Sequence, residues 1–242
     1  MNLRVRAVLR KELREFRRNK FVVGSMIVLP LVFIVIPIGN IVSLKAGTSE
    51  EAIKSVLGGA SLTFFLVPLL LPSVIAGYAV VGEREQGTLE PVLSTPLRER
   101  ELVIGKALAA IVPSVVIAYV LFAAYVIVIS AFAIPEVSNL VRQSSQLLAV
   151  ILFAPLLSTF AIWVGLAISV RSSDIRVAQQ LSALAMLPML GLLALFTFRV
   201  VAPSISVAVI GAVLLLAFDA VAWRVVSAMF DRERMLTRYG GN

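Results

Sequence analysis

The chain has 242 residues, of which 60% are hydrophobic, and its mean hydropathy is +0.98. A soluble domain of this length cannot bury so much apolar surface in one core, so a fully soluble fold is excluded. The absence of cysteine and histidine excludes disulfides, thiol nucleophiles, imidazole bases and the commonest zinc ligands. The net charge of +8 comes from basic residues between apolar runs, which favours anionic lipid over nucleic acid as the partner.

Residues 1–20 carry eight Lys and Arg residues and predict an amphipathic helix at the membrane surface. Five apolar residues share one face of a wheel drawn at 100° per residue: Val5, Val8, Leu9, Leu13 and Phe16. Arginines occupy the other face, and Glu12 is a misfit on the apolar side. We expect the apolar face to meet the acyl boundary and the arginines to meet phospholipid headgroups. A basic patch without a defined helix, which would only set topology, is the alternative.

Six apolar stretches follow, each long enough to cross a bilayer as a helix, because about 20 residues span the hydrocarbon. Their expected bounds are 21–44, 56–82, 103–133, 146–170, 177–198 and 201–223. The runs are continuous and lack two-residue alternation, which excludes a strand barrel. Only Arg199 separates the last two stretches, so a partly re-entrant pair near the outer surface is an alternative there.

The distribution of basic residues predicts the orientation. With a cytoplasmic N-terminus, 18 Lys and Arg residues lie on the inside and four on the outside, which fits the positive-inside rule. An even number of spans returns residues 224–242 to the cytoplasm as a tail. The sequence therefore predicts an all-α, polytopic protein of the cell membrane, with residues 1–242 forming a single transmembrane domain and both termini cytoplasmic.

The cytoplasmic loop 83–101 has the residues of a short helix parallel to the membrane surface. Gly87 permits a sharp reversal, Thr88 is a good N-cap, and Pro96 ends the segment. Because a helix of this length is marginally stable in water, we expect its apolar ridge to dock on a partner. The alternative is that the segment is a solvated connector. The residues assigned to this contact are Gly87, Thr88, Leu89, Glu90, Val92 and Leu93.

The same loop carries a family resemblance. The run Glu83-Arg84-Glu85-Gln86-Gly87-Thr88-Leu89-Glu90, followed by Leu93, Thr95-Pro96 and Gly105-Lys106, resembles the signature of ATP-binding-cassette (ABC) type-2 transporter permeases. The resemblance implies a coupling helix that inserts into a groove on a separate ATPase subunit, with Glu83 and Glu85 at the cytoplasmic end of the second span. It also implies a second permease chain, identical or paralogous, and ATP-driven export.

We expect this chain to be a transport subunit and not an enzyme. Gly105-Lys106 looks like the end of a phosphate-binding loop, but that motif needs Gly at Arg100 and Ser or Thr at Ala107. ATP is therefore expected on the partner subunit, and no catalytic residue, bound cofactor or metal ligand is assigned to this chain.

Asp219 is the one acidic residue well inside a span and marks a possible intramembrane polar site. We expect it to pair with Arg224 or to reach the inner interface, and a role in gating or proton coupling is the alternative. Ala161, Gly165 and Ser169 form a stripe of small residues that predicts a close helix contact.

Two other functions remain open at this point. A secondary transporter or channel, running without ATP, would normally have several polar residues at mid-membrane, and Asp219 is nearly alone. An intramembrane protease would need two facing carboxylates, or a serine with a base, and Asp174 falls in a loop.

Overall fold

A computed structural model describes residues 2–45, 47–88, 91, 97–141, 144–198 and 205–230. In chain order its helices are α1 Leu3–Arg18, α2 Lys20–Val42, α3 Glu50–Ala79, α4 Val81–Glu85, α5 Glu99–Phe132, α6 Pro135–Val141, α7 Ser144–Arg171, α8 Ile175–Ala185, α9 Leu187–Thr197 and α10 Ile205–Met229. The predicted all-α class is confirmed. Of the residues assigned to the coupling contact, Leu89, Glu90, Val92 and Leu93 lie outside the described residues.

Six helical segments in the described part of the chain have the length and composition to cross a membrane, as predicted. They are Lys20–Val42, Glu50–Glu85, Glu99–Phe132, Leu148–Arg171, Ile175–Thr197 and Ile205–Met229. The second and third segments extend beyond their predicted apolar bounds and end in charged residues on the side of the 83–101 loop. Both segments therefore carry charges to that end of the bundle, where the site described below is built.

One residue separates the surface helix α1 from the first span. Asn19 has extended backbone angles, φ −86° and ψ 107°, which stop α1 at Arg18. Its side-chain oxygen accepts hydrogen bonds from the amides of Phe21 at 3.0 Å and Val22 at 3.3 Å. Asn19 thus caps α2, because it satisfies two of the amides that the first turn of a helix leaves unpaired. The end of α1 is held at the point where the first span begins.

The second span, α3 with α4, is the centre of the bundle. Of its most apolar stretch, 72% is buried, against 11–44% for the other five spans. The fourth span, α7, packs along it through the predicted stripe of small residues, and a Cβ added at Gly165 would lie 2.5 Å from the Cβ of Ala76. Only glycine permits so close an approach. The predicted close contact is confirmed, and its neighbour is the second span of the same chain.

The fifth span is interrupted within the single span that the sequence predicted over 177–198. Helix α8 ends at Ala185, Met186 forms a turn, and α9 begins at Leu187. Pro188 lies in the first turn of α9, where its missing amide hydrogen costs nothing but where its ring prevents α8 from continuing. The prediction missed the break because hydropathy measures length and not backbone continuity.

Candidate functional site

The second span breaks at Val80, five residues before its last residue, Glu85. The amides of Val80 and Val81 donate hydrogen bonds to the Ser169 hydroxyl oxygen of α7, at 3.1 and 3.2 Å. The same hydroxyl donates to the Gly77 carbonyl at 2.9 Å. One buried serine therefore satisfies the backbone groups that the break exposes, and it holds the end of the second span against the fourth.

The loop then reverses at Gly87, as the sequence predicted. Gly87 has φ +66°, the left-handed region that favours glycine, and its amide donates to the Arg84 carbonyl at 3.0 Å. The Thr88 amide donates to the Glu83 carbonyl at 2.8 Å, and the Thr88 hydroxyl donates to the same oxygen at 3.2 Å. The Thr88 hydroxyl thus points back to the second span. The helix that Thr88 was predicted to cap lies outside the described residues.

A buried cluster of charges lies behind this reversal. The Lys106 ammonium at the start of the third span is 2.9 Å from Glu12 Oε1, 2.8 Å from Glu83 Oε2 and 2.9 Å from the Ala79 carbonyl. Lys106 and Glu12 are each 2% exposed and Glu83 is 5% exposed. The cluster joins three elements, α1, the end of the second span and the beginning of α5.

Lys11 adds a second cation at the edge of the cluster. Its ammonium forms an ion pair with Glu83 and lies 2.9 Å from Glu15 Oε2 and 3.3 Å from Glu12 Oε1. Partial burial alone would lower the Lys11 pKa, but the neighbouring carboxylates of Glu12 and Glu83 outweigh it and raise the pKa above its usual range. Glu12, Glu15 and Glu83 each bring an oxygen to within 4.8 Å of the others, as metal ligands would, and the two ammonium groups supply the compensating positive charge.

This cluster corrects two expectations for α1. Glu12 is not a misfit at a lipid boundary, because Lys106 pairs with it inside the protein. The apolar face of α1 is likewise buried on protein: Val5, Val8 and Phe16 are 5–6% exposed, and a Cβ at Gly105 would lie 2.4 Å from a Val8 methyl. The helix is amphipathic as predicted, but its apolar face packs on the bundle and not on lipid, and its arginine face stays exposed.

The opposite side of the loop base is fastened to the connection between α7 and α8. Two nitrogens of the Arg84 guanidinium donate to the carbonyls of Ser172 at 2.6 Å and Val170 at 3.3 Å. The exposed Glu85 carboxylate accepts from the Ile175 amide at 3.0 Å. Three consecutive side chains, from Glu83 to Glu85, therefore tie the loop to α1, to α5 and to the connection between α7 and α8.

Asp219 lies apart from this cluster, and its predicted pairing with Arg224 is wrong. Asp219 is 7% exposed on the side of α10 that packs against α7, whereas Arg224 is exposed. Five residues correspond to about 140° around a helix, so the two side chains point to different sides. Both carboxylate oxygens of Asp219 lack a hydrogen-bond partner among the described residues.

The comparison with known families agrees with this arrangement of spans and loop. The model for the ABC-2 type transporter family matches residues 4–203, which include α1, the first five spans and the loop. The chain belongs to the ABC-2 type transporter family. A comparison with curated proteins found no match. Membrane domains of the ABC-2 family are transport permease components and not catalytic domains, and they generally dimerise and work with ATPase subunits.

The ABC-2 resemblance drawn from the loop is thus confirmed, and so is the assignment as a multi-pass membrane permease. Sequence reasoning missed Glu12, Lys11 and Lys106 as members of the site. The signal was available in part, because a single carboxylate on the apolar face of a helix needs a buried cation. In the sequence, Lys106 is part of the family signature and of an incomplete phosphate-binding motif, and neither pattern indicates a buried cation.

Proposed function

We propose that this ABC-2 permease is the membrane subunit of an ATP-driven exporter, working with a second permease chain and with separate ATPase subunits. The loop after the second span would be the docking element. Its contact residues would be Gly87, Thr88, Leu89, Glu90, Val92 and Leu93. ATP would be bound and hydrolysed by the partner, since this chain lacks the Gly and Ser or Thr of a phosphate-binding loop.

The observation that supports coupling best is the fastening of the loop base. Glu83 is ion-paired to Lys106 and Lys11, and Arg84 and Glu85 bind the connection between α7 and α8. A displacement of the loop by an ATPase would therefore be passed to α1 and to the second, third and fourth spans together. Rigid-body movements of this kind are a common means of switching between two states of a transporter.

The test is a pull-down of the tagged chain from detergent-solubilised native membranes, followed by mass spectrometry of the proteins that remain bound. We expect an ABC ATPase to be recovered with the wild type and lost with Leu89→Asp, because a charge on the apolar ridge opposes burial in a groove. Thr48→Asp in the connection between the first two spans introduces the same charge away from the loop and should retain the ATPase. Recovery of the wild-type chain without any bound ATPase would refute the proposal.

The buried carboxylate of Asp219 supports a second candidate, a transporter that runs without ATP. Buried ionisable residues inside a membrane commonly mark proton or substrate pathways. The two functions differ in proteoliposomes that hold the chain without an ATPase. Transport driven by a proton gradient and abolished by Asp219→Asn would support the second candidate, and transport only after addition of the ATPase and ATP would support the first.

A further inference from the structure

The exposed face of α1 is an unpaired cationic surface. Five arginines on this face are exposed, and none of their side chains forms an ion pair or a hydrogen bond within the described residues: Arg6, Arg10, Arg14, Arg17 and Arg18. We call these five residues the arginine face. Its spacing follows the helix repeat, so the charges form one strip along α1. The opposite face packs against the bundle, where it buries Val5, Val8, Glu12 and Phe16.

The contacts of α1 define how it lies relative to the bilayer. Its last residue, Arg18, is two positions before α2, the first span. Its beginning is held at Glu101, through Asn2 at 2.6 Å and Arg4 at 3.6 Å. The charge-free part of the third span starts at Ala107, six residues after Glu101. Six residues of helix rise by about 9 Å, so Glu101 lies about that far from the hydrocarbon.

If α1 stood perpendicular to the membrane, its 16 residues would place its first residue about 24 Å above the hydrocarbon. Both ends of α1 therefore lie near the membrane boundary, and the whole arginine face runs through the headgroup layer. Arginine binds phosphate through two parallel N–H···O bonds, and basic segments next to a membrane are attracted to the anionic lipids of the cytoplasmic leaflet.

We propose that the arginine face binds anionic phospholipid headgroups and thereby holds the base of the coupling loop in position. The second half of this statement rests on the proposed function, and the first half does not. The link between the two is the buried cluster: Glu12 and Lys11 of α1 reach Lys106 and Glu83, and the Glu83 carbonyl accepts the hydrogen bonds of Thr88. A lipid that fixes α1 would fix Glu83 with it.

The experiment uses the purified full-length chain without any ATPase, in nanodiscs of phosphatidylcholine alone or mixed with phosphatidylglycerol. Native mass spectrometry counts the phosphatidylglycerol molecules retained, and hydrogen exchange is followed over α1 and over residues 83–88. We compare the wild type with the triple variant Arg10→Gln, Arg14→Gln and Arg17→Gln. The matched control replaces the same three arginines by lysine, which keeps the positive charge of the arginine face.

We expect the wild type and the control to retain phosphatidylglycerol and to show slower exchange in α1 when it is present. Each juxtamembrane arginine contributes about fivefold to the preference for anionic lipid, so the arginine-face variant should lose a factor on the order of 100. An equal loss in the control, or no loss in the arginine-face variant, would overturn the proposal. If the arginine-face variant retains its lipid in this experiment but loses the ATPase in the pull-down described above, the proposal would also be overturned and the face would be assigned to a protein partner.

A second comparison tests the link to the loop. In the wild type, phosphatidylglycerol should slow exchange over residues 83–88 as well as over α1. In the variant Lys11→Gln, Glu12→Gln, Glu83→Gln, Lys106→Met, which removes every ion pair between α1 and the loop base but leaves the arginine face intact, it should slow exchange over α1 only. Unchanged exchange over residues 83–88 in the wild type would refute the link. Because no ATPase is present, neither result depends on whether the chain is coupled to one.

Discussion

Lys106 offers the most direct test of how the buried cluster supports the fold. Its ammonium lies 2.8–2.9 Å from carboxylate oxygens of Glu12 and Glu83 and is almost fully buried. Lys106→Met keeps the aliphatic stem but leaves both carboxylates with Lys11 as their only cation within the cluster. Removing one partner of a buried ion pair costs about 3–5 kcal/mol, so we expect the free energy of unfolding to fall by that amount.

The assay is reversible denaturant unfolding of the detergent-solubilised chain, followed by circular dichroism. Lys20→Met removes the same group from an exposed position and should change the free energy of unfolding by about 0.5 kcal/mol or less. The triple variant Glu12→Gln, Glu83→Gln, Lys106→Met should recover most of the loss, because neutral residues need no buried counter-charge. A loss below about 1 kcal/mol in Lys106→Met, or no recovery in the triple variant, would show that the reasoning is wrong.

Three further variants test other contacts in the same assay. Gly165→Ala brings a methyl to 2.5 Å from Ala76 and should cost about 1–3 kcal/mol, whereas Gly24→Ala, which has nothing within 4 Å, should not destabilise. Ser169→Ala leaves the Val80 and Val81 amides unpaired and should cost about 1–3 kcal/mol, more than Ser25→Ala, which removes only a bond within its own helix. The raised pKa of Lys11 means that its contribution is complete below the ordinary value of 10.5 and is lost only as pH rises through the higher folded value. The stability difference between the wild type and Lys11→Gln should therefore stay constant from about pH 7 to about pH 10, and a fall over that range would contradict the ion-pair assignment.

The spans and the reversal at Gly87 could be predicted because local sequence determines them. About 20 residues without charge define a span, and a glycine after a charged helix end permits the reversal that Gly87 makes. The small residues around Gly165 indicated a close contact, and the structure supplied the neighbour, Ala76. The break at Met186 was missed because Pro188 is compatible both with a kinked helix and with a new one.

The charge cluster could not be predicted because its members are far apart in the sequence. Glu12 and Lys106 are 94 positions apart, and only the packing of α1 on α5 brings them together. Asp219 is the opposite case, since its expected partner is close in the sequence and yet the pair does not form. The angular separation of Asp219 and Arg224 on a helix is by itself sufficient to exclude this pair.

The same separation of 94 residues also affects the order in which the chain matures. Glu12 leaves the ribosome long before Lys106, and synthesis at roughly 5–20 residues per second delays its partner by about 5–20 s. During this interval α1 holds a carboxylate on the face that will later be buried, and it cannot dock. Helix α1 is therefore synthesised before the first two spans but takes its final position only when the third span arrives in the membrane.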